Sequence, residues 1–366
     1  MGIIKIFKNN YTYITVLVLS LLIYVLCLII NQSQPFGDNF PLAGNGFIQG
    51  YTQFVETVNS YKAGNILPFL DYGTGLTSDA FNSSLYSVTY LLIRPWYIVI
   101  FLFLPESLYI SIYMLGYVTV FVLTGPIFIF YLTHRYTGER YDKKDVRLIV
   151  LGLVYGLSSF ATSYFMYVGF RFLFMVPLVF LGVEKIIYER KPLLYILSLF
   201  YLMFTEAYYA FIFCIFIFIY YLIIHHDSFK SFISNAIRIG IGSVLAAGMS
   251  ALYLITYYIR TRNSPYEETD SVMPSIMKWY SNILSPLSEY RAMRQTMVTS
   301  DYSFRANIYC GLAIILLVPL FFFIKEIPVK DRIKRGIFLL ILYLAFDNEL
   351  LNYIFHGFHY QWQVPN

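Results

Sequence analysis

The sequence predicts an all-α polytopic membrane protein, and three observations carry that prediction. Apolar residues make up 58% of the 366 residues and charged ones 13%, with a mean hydropathy of +0.62, more apolar surface than a soluble core takes up. The apolar residues fall in runs, several of them near the roughly 20 residues that cross about 30 Å of hydrocarbon. Lys and Arg gather in short segments between the runs, the pattern that the positive-inside rule produces. That distribution also accounts for the net charge of +5 without a basic stripe or recognition motif, so the bilayer is the expected partner and nucleic acid is not. Cys27, Cys214 and Cys310 sit inside apolar runs at no ligand spacing and predict no disulfide framework.

The elements follow in order. Lys5 and Lys8 precede the run from about Tyr11 to Ile30, which has no small-residue cleavage site after it and reads as a retained first span with its N-terminus inside. Residues 31–107 read as one large outer segment carrying interfacial helices. Its first part holds Asp38, Glu56, Asp71 and Asp79 against Lys62 and is broken by Gly64, Pro68, Gly73 and Gly75. The apolar run from Tyr86 to Leu104 contains Arg94-Pro95. If it crossed as well as the run 108–132, the basic loop 134–147 would fall outside, so it reads as re-entrant or interfacial.

Further spans are expected at about 148–167, 172–187, 193–205, 208–224, 237–258, 308–324 and 337–346. The long apolar stretch 193–224 is divided at Thr205-Glu206-Ala207, and Gly240, Gly242, Ala246, Ala247 and Gly248 give the span 237–258 a face suited to close packing. Basic segments at 185–191 and 325–335 then lie inside, and 259–306 and the tail 347–366 outside. This makes about nine crossings in a single transmembrane domain, with no internal repeat.

Under this topology the polar groups Asp38, Asn45, Gln49, Asp71, Asp79, Arg94, Arg171, Glu206 and His356 gather at the outer leaflet. Arg94, Arg171 and Glu206 adjoin apolar runs, where an ionisable group costs several kcal/mol unless it is paired or hydrated. Arginines at span ends also snorkel to headgroups, and the 36 Tyr and 34 Phe supply interfacial belts as readily as sugar platforms. Carboxylates beside arginines suit chemistry on a lipid-borne phosphate: Arg grips the phosphate with two prongs, and a carboxylate deprotonates an incoming hydroxyl or holds a divalent cation. A transporter vestibule is the alternative. It would place charges near the midplane along a path from both sides, whereas here they collect at one face. His356 and His359 have no third metal ligand in range.

Several short stretches together resemble the bacterial YfhO-type membrane proteins. They are Pro35-Phe36-Gly37-Asp38, Gly44-Asn45-Gly46 with Gln49 and Tyr51, Tyr72-Gly73-Thr74-Gly75-Leu76, Phe170-Arg171-Phe172 with Pro177, and His356-Gly357-Phe358-His359-Tyr360. Their order and placement relative to the spans extend the resemblance over nearly the whole chain. The resemblance implies a GT-C-like glycosyltransferase bundle with a polyprenyl-phosphate sugar as donor and a cell-surface polymer such as teichoic acid as acceptor.

Carried over by position, Asp38 is the first acidic residue of the outer loop, and Gln49 and Tyr51 flank the site. From the residues and the resemblance together the catalytic candidates are Asp38, Asn45 and Asp79, with Asp38 and Asp79 as carboxylates for a divalent cation such as Mg or Mn. Gln49, Tyr51, Arg94, Arg171, Glu206 and His356 form the substrate-binding set. Two departures bear on activity. Asn45-Gly46 stands where the family pattern has Asp-Gly, and an amide is no general base. The family pattern also continues, through an Arg-Trp pair and more spans, past the position of Val364-Pro365-Asn366. The expectation is therefore an enzyme-like fold that is catalytically silent, either a piece of a longer enzyme or the partner of a full-length paralogue.

Overall fold

The computed structural model describes residues 9–40, 51–64, 101–158, 161–162, 173–205, 207–224, 226, 228–251, 253–255, 258, 312–345 and 348–355. Among these the chain is mostly helical and has no strand, only an isolated bridge between Ser33 and Asn39. The helices are α1 (Tyr11–Ile30), α2 (Thr52–Lys62), α3 (Tyr109–Val122), α4 (Thr124–His134), α5 (Arg147–Gly156), α6 (Val176–Glu189), α7 (Leu193–Thr205), α8 (Ala207–Ile223), α9 (Phe229–Met249), α10 (Leu312–Phe321), α11 (Val329–Ala345) and α12 (Glu349–Phe355). Among the described residues, three helical stretches are long and apolar enough to cross a membrane: Tyr11–Ile30, Glu106–His134 and Phe229–Met249.

Helix α1 shows why such a sequence belongs in lipid. Its 20 residues contain no Gly or Pro and rise about 30 Å. The buried positions Thr12, Val16, Ser20, Tyr24 and Leu28 recur every fourth residue and include three polar side chains, while Leu21, Leu22, Leu26 and Ile29 are exposed. Polar groups inside and leucines outside reverse the arrangement of a water-soluble helix. A hydrocarbon surround makes that order favourable.

The described helices belong to two compact units. The first contains α1 to α7 and the greater part of α9. A short 3-10 turn (Glu106–Leu108) leads into α3, which runs almost directly into α4. The one-residue interruption at Leu123 precedes Gly125-Pro126, where proline removes a helix hydrogen bond. Helix α1 runs antiparallel to the α3–α4 pair, since Tyr13 bonds Thr133 at 2.8 Å and the Tyr24 ring lies 6.1 Å from that of Phe121.

Small residues set the closeness of α1, α4 and α5. A Cβ on Gly125 would lie 2.8 Å from the Gly152 carbonyl oxygen and from Val16, and one on Gly152 would meet Ile129 at 2.9 Å. Val16, Ile129, Leu132 and Leu148 form the buried cluster beside this crossing. Helices α6 and α7 make a hairpin through Arg190, which takes the left-handed conformation (φ 60°) that ends a helix, and Gly182 lies against the backbone of Tyr195.

The expected small-residue face of α9 is corrected in part. Gly242 packs against Tyr195 and Ala246 is buried, but a Cβ on Gly240 or Gly248 would have no neighbour within 4 Å. At 100° per residue, 240 and 248 point away from 242 and 246, so the composition was right and the single face was not.

The second unit contains α8 from Tyr208 onward, the first turns of α9, and α10 to α12. The Tyr221 hydroxyl donates to the Phe232 carbonyl across the α8–α9 connection, with the His226 ring 4.6 Å from that of Tyr221. Helix α11 starts at Val329, eight residues before the expected span at 337–346. The second half of the basic segment 325–335 is thus helical. Hydropathy stops at its charges, whereas Lys and Arg are good helix formers and Asp331 in the first turn suits the helix dipole.

Candidate functional site

The site is built from the chain that leaves α1. The N–H groups of Asn31, Gln32 and Ser33 still bond carbonyls of α1, those of Cys27, Ile29 and Leu28, at 2.8–3.1 Å, which caps the helix. Gln32 then turns into the left-handed region (φ 48°). The Gln34 N–H donates to the Asn39 carbonyl and the Asn39 N–H to the Gln32 carbonyl, both at 2.9 Å, closing a loop over Pro35, Phe36, Gly37 and Asp38. The Asn39 side-chain amide donates to the Asn31 carbonyl at 2.9 Å. Gly37 is required: a Cβ there would stand 2.3 Å from the Gln32 carbonyl oxygen. The loop leaves Asp38 exposed.

A bond from Ser111 Oγ to Gln34 Oε1 at 3.1 Å places this loop at the end of the unit where α3 begins. The Phe40 ring then packs at a tilt against that of Tyr51, with ring centroids 5.4 Å apart. Tyr51 meets the edge of Tyr113 at 5.3 Å, and Phe54 joins Tyr113 and Phe101 at 5.2 and 4.6 Å. Lys62 Nζ lies 4.9 Å over the Tyr109 ring and donates to the Leu104 carbonyl at 2.8 Å, which fixes the far end of α2. Burial first, then the neighbouring Tyr109, Tyr113 and Glu106, push the Tyr51 phenol above its ordinary range, so it stays a neutral hydrogen-bonding group.

Of the residues singled out in the sequence, Asp38 and Tyr51 are described and lie at the same end, joined through Phe40. Asn45, Gln49, Asp79, Arg94, Arg171, Glu206 and His356 lie outside the described residues. Among the described residues no group of three or more His, Cys, Asp or Glu could hold a metal ion. Asp38 offers one carboxylate, where Mg takes six oxygens, several of them from water.

At the other end of α1 stands a buried carboxylate that the sequence reading passed over. Glu184 on α6 is fully buried and accepts from the Tyr131 hydroxyl (3.2 Å), the Tyr136 N–H (2.6 Å) and the Thr137 hydroxyl. It ties α6 to the last turn of α4 and to the basic loop. The available signal was an acid in the apolar run of α6, masked by its neighbour Lys185.

The loop 135–147 is itself closely bonded. Tyr11 and Thr12 of α1 donate to the Lys144 and Lys143 carbonyls. Arg147 pairs with Asp145 (2.7 Å) and Glu139 (3.1 Å) and lies 4.9 Å over Tyr141. The acidic turn and the basic loop therefore occupy opposite ends of α1 and of the α3–α4 pair.

No curated protein and no solved structure matches this chain. The family model described as "Bacterial membrane protein YfhO" matches residues 16–362, nearly the whole length, over the same turn, helices and basic loops. An apolar-out helical protein with this match is a membrane protein, and the chain belongs to the YfhO family of bacterial membrane proteins.

Proposed function

We propose that the protein is a multi-pass glycosyltransferase-like component of the bacterial cell membrane. Its site faces outward at the Asp38 end and receives a polyprenyl-phosphate sugar for a cell-surface polymer such as teichoic acid. The observation that supports this most is the exposed presentation of Asp38 on a backbone-bonded turn directly beyond a membrane-length helix, two residues before Phe40, whose ring packs against Tyr51. A carboxylate there is placed to take the proton of an acceptor hydroxyl at the bilayer surface, and flat rings suit a sugar face. Arg94 and Arg171 are assigned to the donor phosphate, and Gln49, Glu206 and His356 to the sugar or acceptor. Asp79 is the second candidate carboxylate and, with Asp38, would hold a divalent cation if one is used.

Asn45 favours a second reading, in which the fold is retained without sugar transfer and the chain works as a silent partner or a lipid-linked saccharide carrier. A positioned base contributes roughly 10² to 10⁴ in rate, and an amide cannot act as one. The two readings separate in one assay of sugar transfer from a polyprenyl-phosphate donor in membranes, comparing wild type with Asp38→Asn and Asn45→Asp. Transfer by wild type that Asp38→Asn abolishes establishes the enzyme. Transfer only in Asn45→Asp establishes the silent fold, and none in any of the three leaves the carrier role.

A further inference from the structure

We infer that the α10–α11 connection and the first two turns of α11 form a docking surface for the headgroups of anionic phospholipids. The inference rests on the membrane embedding of the chain and not on sugar transfer. Segment 325–335 holds five cations, Lys325, Lys330, Arg332, Lys334 and Arg335, against Glu326 and Asp331. Two of the five are used internally: Arg332 donates to the Phe322 carbonyl at 2.7 Å, folding the connection onto α11, and Arg335 lies 5.1 Å over the Phe321 ring. Lys325, Lys330 and Lys334 enter no ion pair among the described residues.

Apolar side chains interleave with these lysines. Phe323 is 75% exposed, Val329 59% and Ile333 57%. Val329, Ile333 and Ile337 fall on one side of α11, so its lipid-facing stripe continues into the charged turns. Water is a poor neighbour for exposed Phe and Ile, and hydrocarbon is a poor one for Lys. The interface between acyl chains and phosphates suits both: the rings and branched chains sink, and the lysine stems extend to the phosphates. Zwitterionic headgroups would leave three cations uncompensated, whereas anionic ones neutralise them, at about fivefold in affinity per lysine.

The test places a reporter at the tip. The full chain carrying Phe323→Trp is reconstituted in nanodiscs of phosphatidylcholine containing a minority of brominated lipid, either phosphatidylglycerol or phosphatidylcholine. The parent protein sets the background of the three native tryptophans. Stronger quenching by the brominated phosphatidylglycerol is expected. The excess should disappear in Lys325→Gln/Lys330→Gln/Lys334→Gln and persist when the same three become Arg. Quenching by brominated phosphatidylcholine, unchanged in the Gln variant, shows that the tip still sits in the bilayer. Equal quenching by the two lipids, an excess that survives in the Gln variant, or no quenching by either lipid would overturn the inference.

Discussion

The two ends of α1 are made differently. At the Tyr11 end, side chains do the joining: hydroxyls on α1 cap loop carbonyls, Arg147 holds two carboxylates, and the buried Glu184 gathers three donors from α4 and the loop. At the Ile30 end, the turn that carries Asp38 is closed chiefly by backbone bonds and braced by ring contacts, and its one carboxylate is left facing out. The first end spends its charges on holding helices together. The second keeps a charge available, as a site does when its scaffold is supplied by groups other than the reactive one.

The largest effect should come from the end that depends on side chains. Glu184→Ala removes the acceptor of three hydrogen bonds in a buried place, and each donor left unpaired there costs about 1 kcal/mol or more. We expect a loss of roughly 3–5 kcal/mol, read as a marked fall in thermal stability in detergent, with Glu184→Gln intermediate because one oxygen remains. Melting of Glu184→Ala at the wild-type temperature would remove the contrast between the two ends.

Next comes the backbone of the Asp38 turn. In Gly37→Ala the new methyl collides with the Gln32 carbonyl, a backbone group that cannot swing aside, so the turn must open. Overpacking of this kind costs about 1–3 kcal/mol. The loss should be local, with amide exchange at Gln34 and Asn39 rising by tenfold or more while α4 and α5 keep their protection. Uniform acceleration through the bundle would mean that the turn is part of the core rather than a platform on it.

The sequence disclosed the fold class because hydropathy and charge bias respond to the solvent around a helix. The bounds of α1 fell where the apolar run does. Hydropathy could not see α11 begin inside a basic segment, since helix formation by Lys and Arg is independent of the membrane. Nor could it sort the glycines of α9, which requires phase as well as composition. Glu184 was illegible for a related reason. A lone acid gains meaning only from the donors that fold around it, and these come from residues some 50 positions away. Of the site, Asp38 and Tyr51 were legible from a turn-forming stretch after a span. Their connection through Phe40 was not.

A smaller effect belongs to the exposed ion pair of the basic loop. Side-chain bonds from Arg147, followed by its backbone N–H, hold the Asp145 carboxyl below the usual carboxylate range. Because the folded value is depressed, the contribution to stability is fully present above the unfolded value near 3.9 and fades as pH falls through the folded one. A melting profile from pH 6 downward should show a slight decline beginning near pH 4 that Asp145→Asn lacks. High salt should shrink it, as it does for exposed pairs.

The smallest expected change in stability is at Asp38. Its carboxylate is exposed, and the bonds that close the turn run through the backbone of Gln32, Gln34 and Asn39 and the Asn39 amide. Exchanging the acid for its amide removes a charge and no scaffold contact, so Asp38→Asn should melt within about 0.5 kcal/mol of wild type. That near-identity makes the substitution informative: a change in sugar transfer or donor binding in a protein of unaltered stability must come from the carboxylate itself. If Asp38→Asn instead loses stability on the scale of Gly37→Ala, the acid is part of the turn, and the contrast drawn between the two ends of α1 fails at the residue on which the proposed site depends.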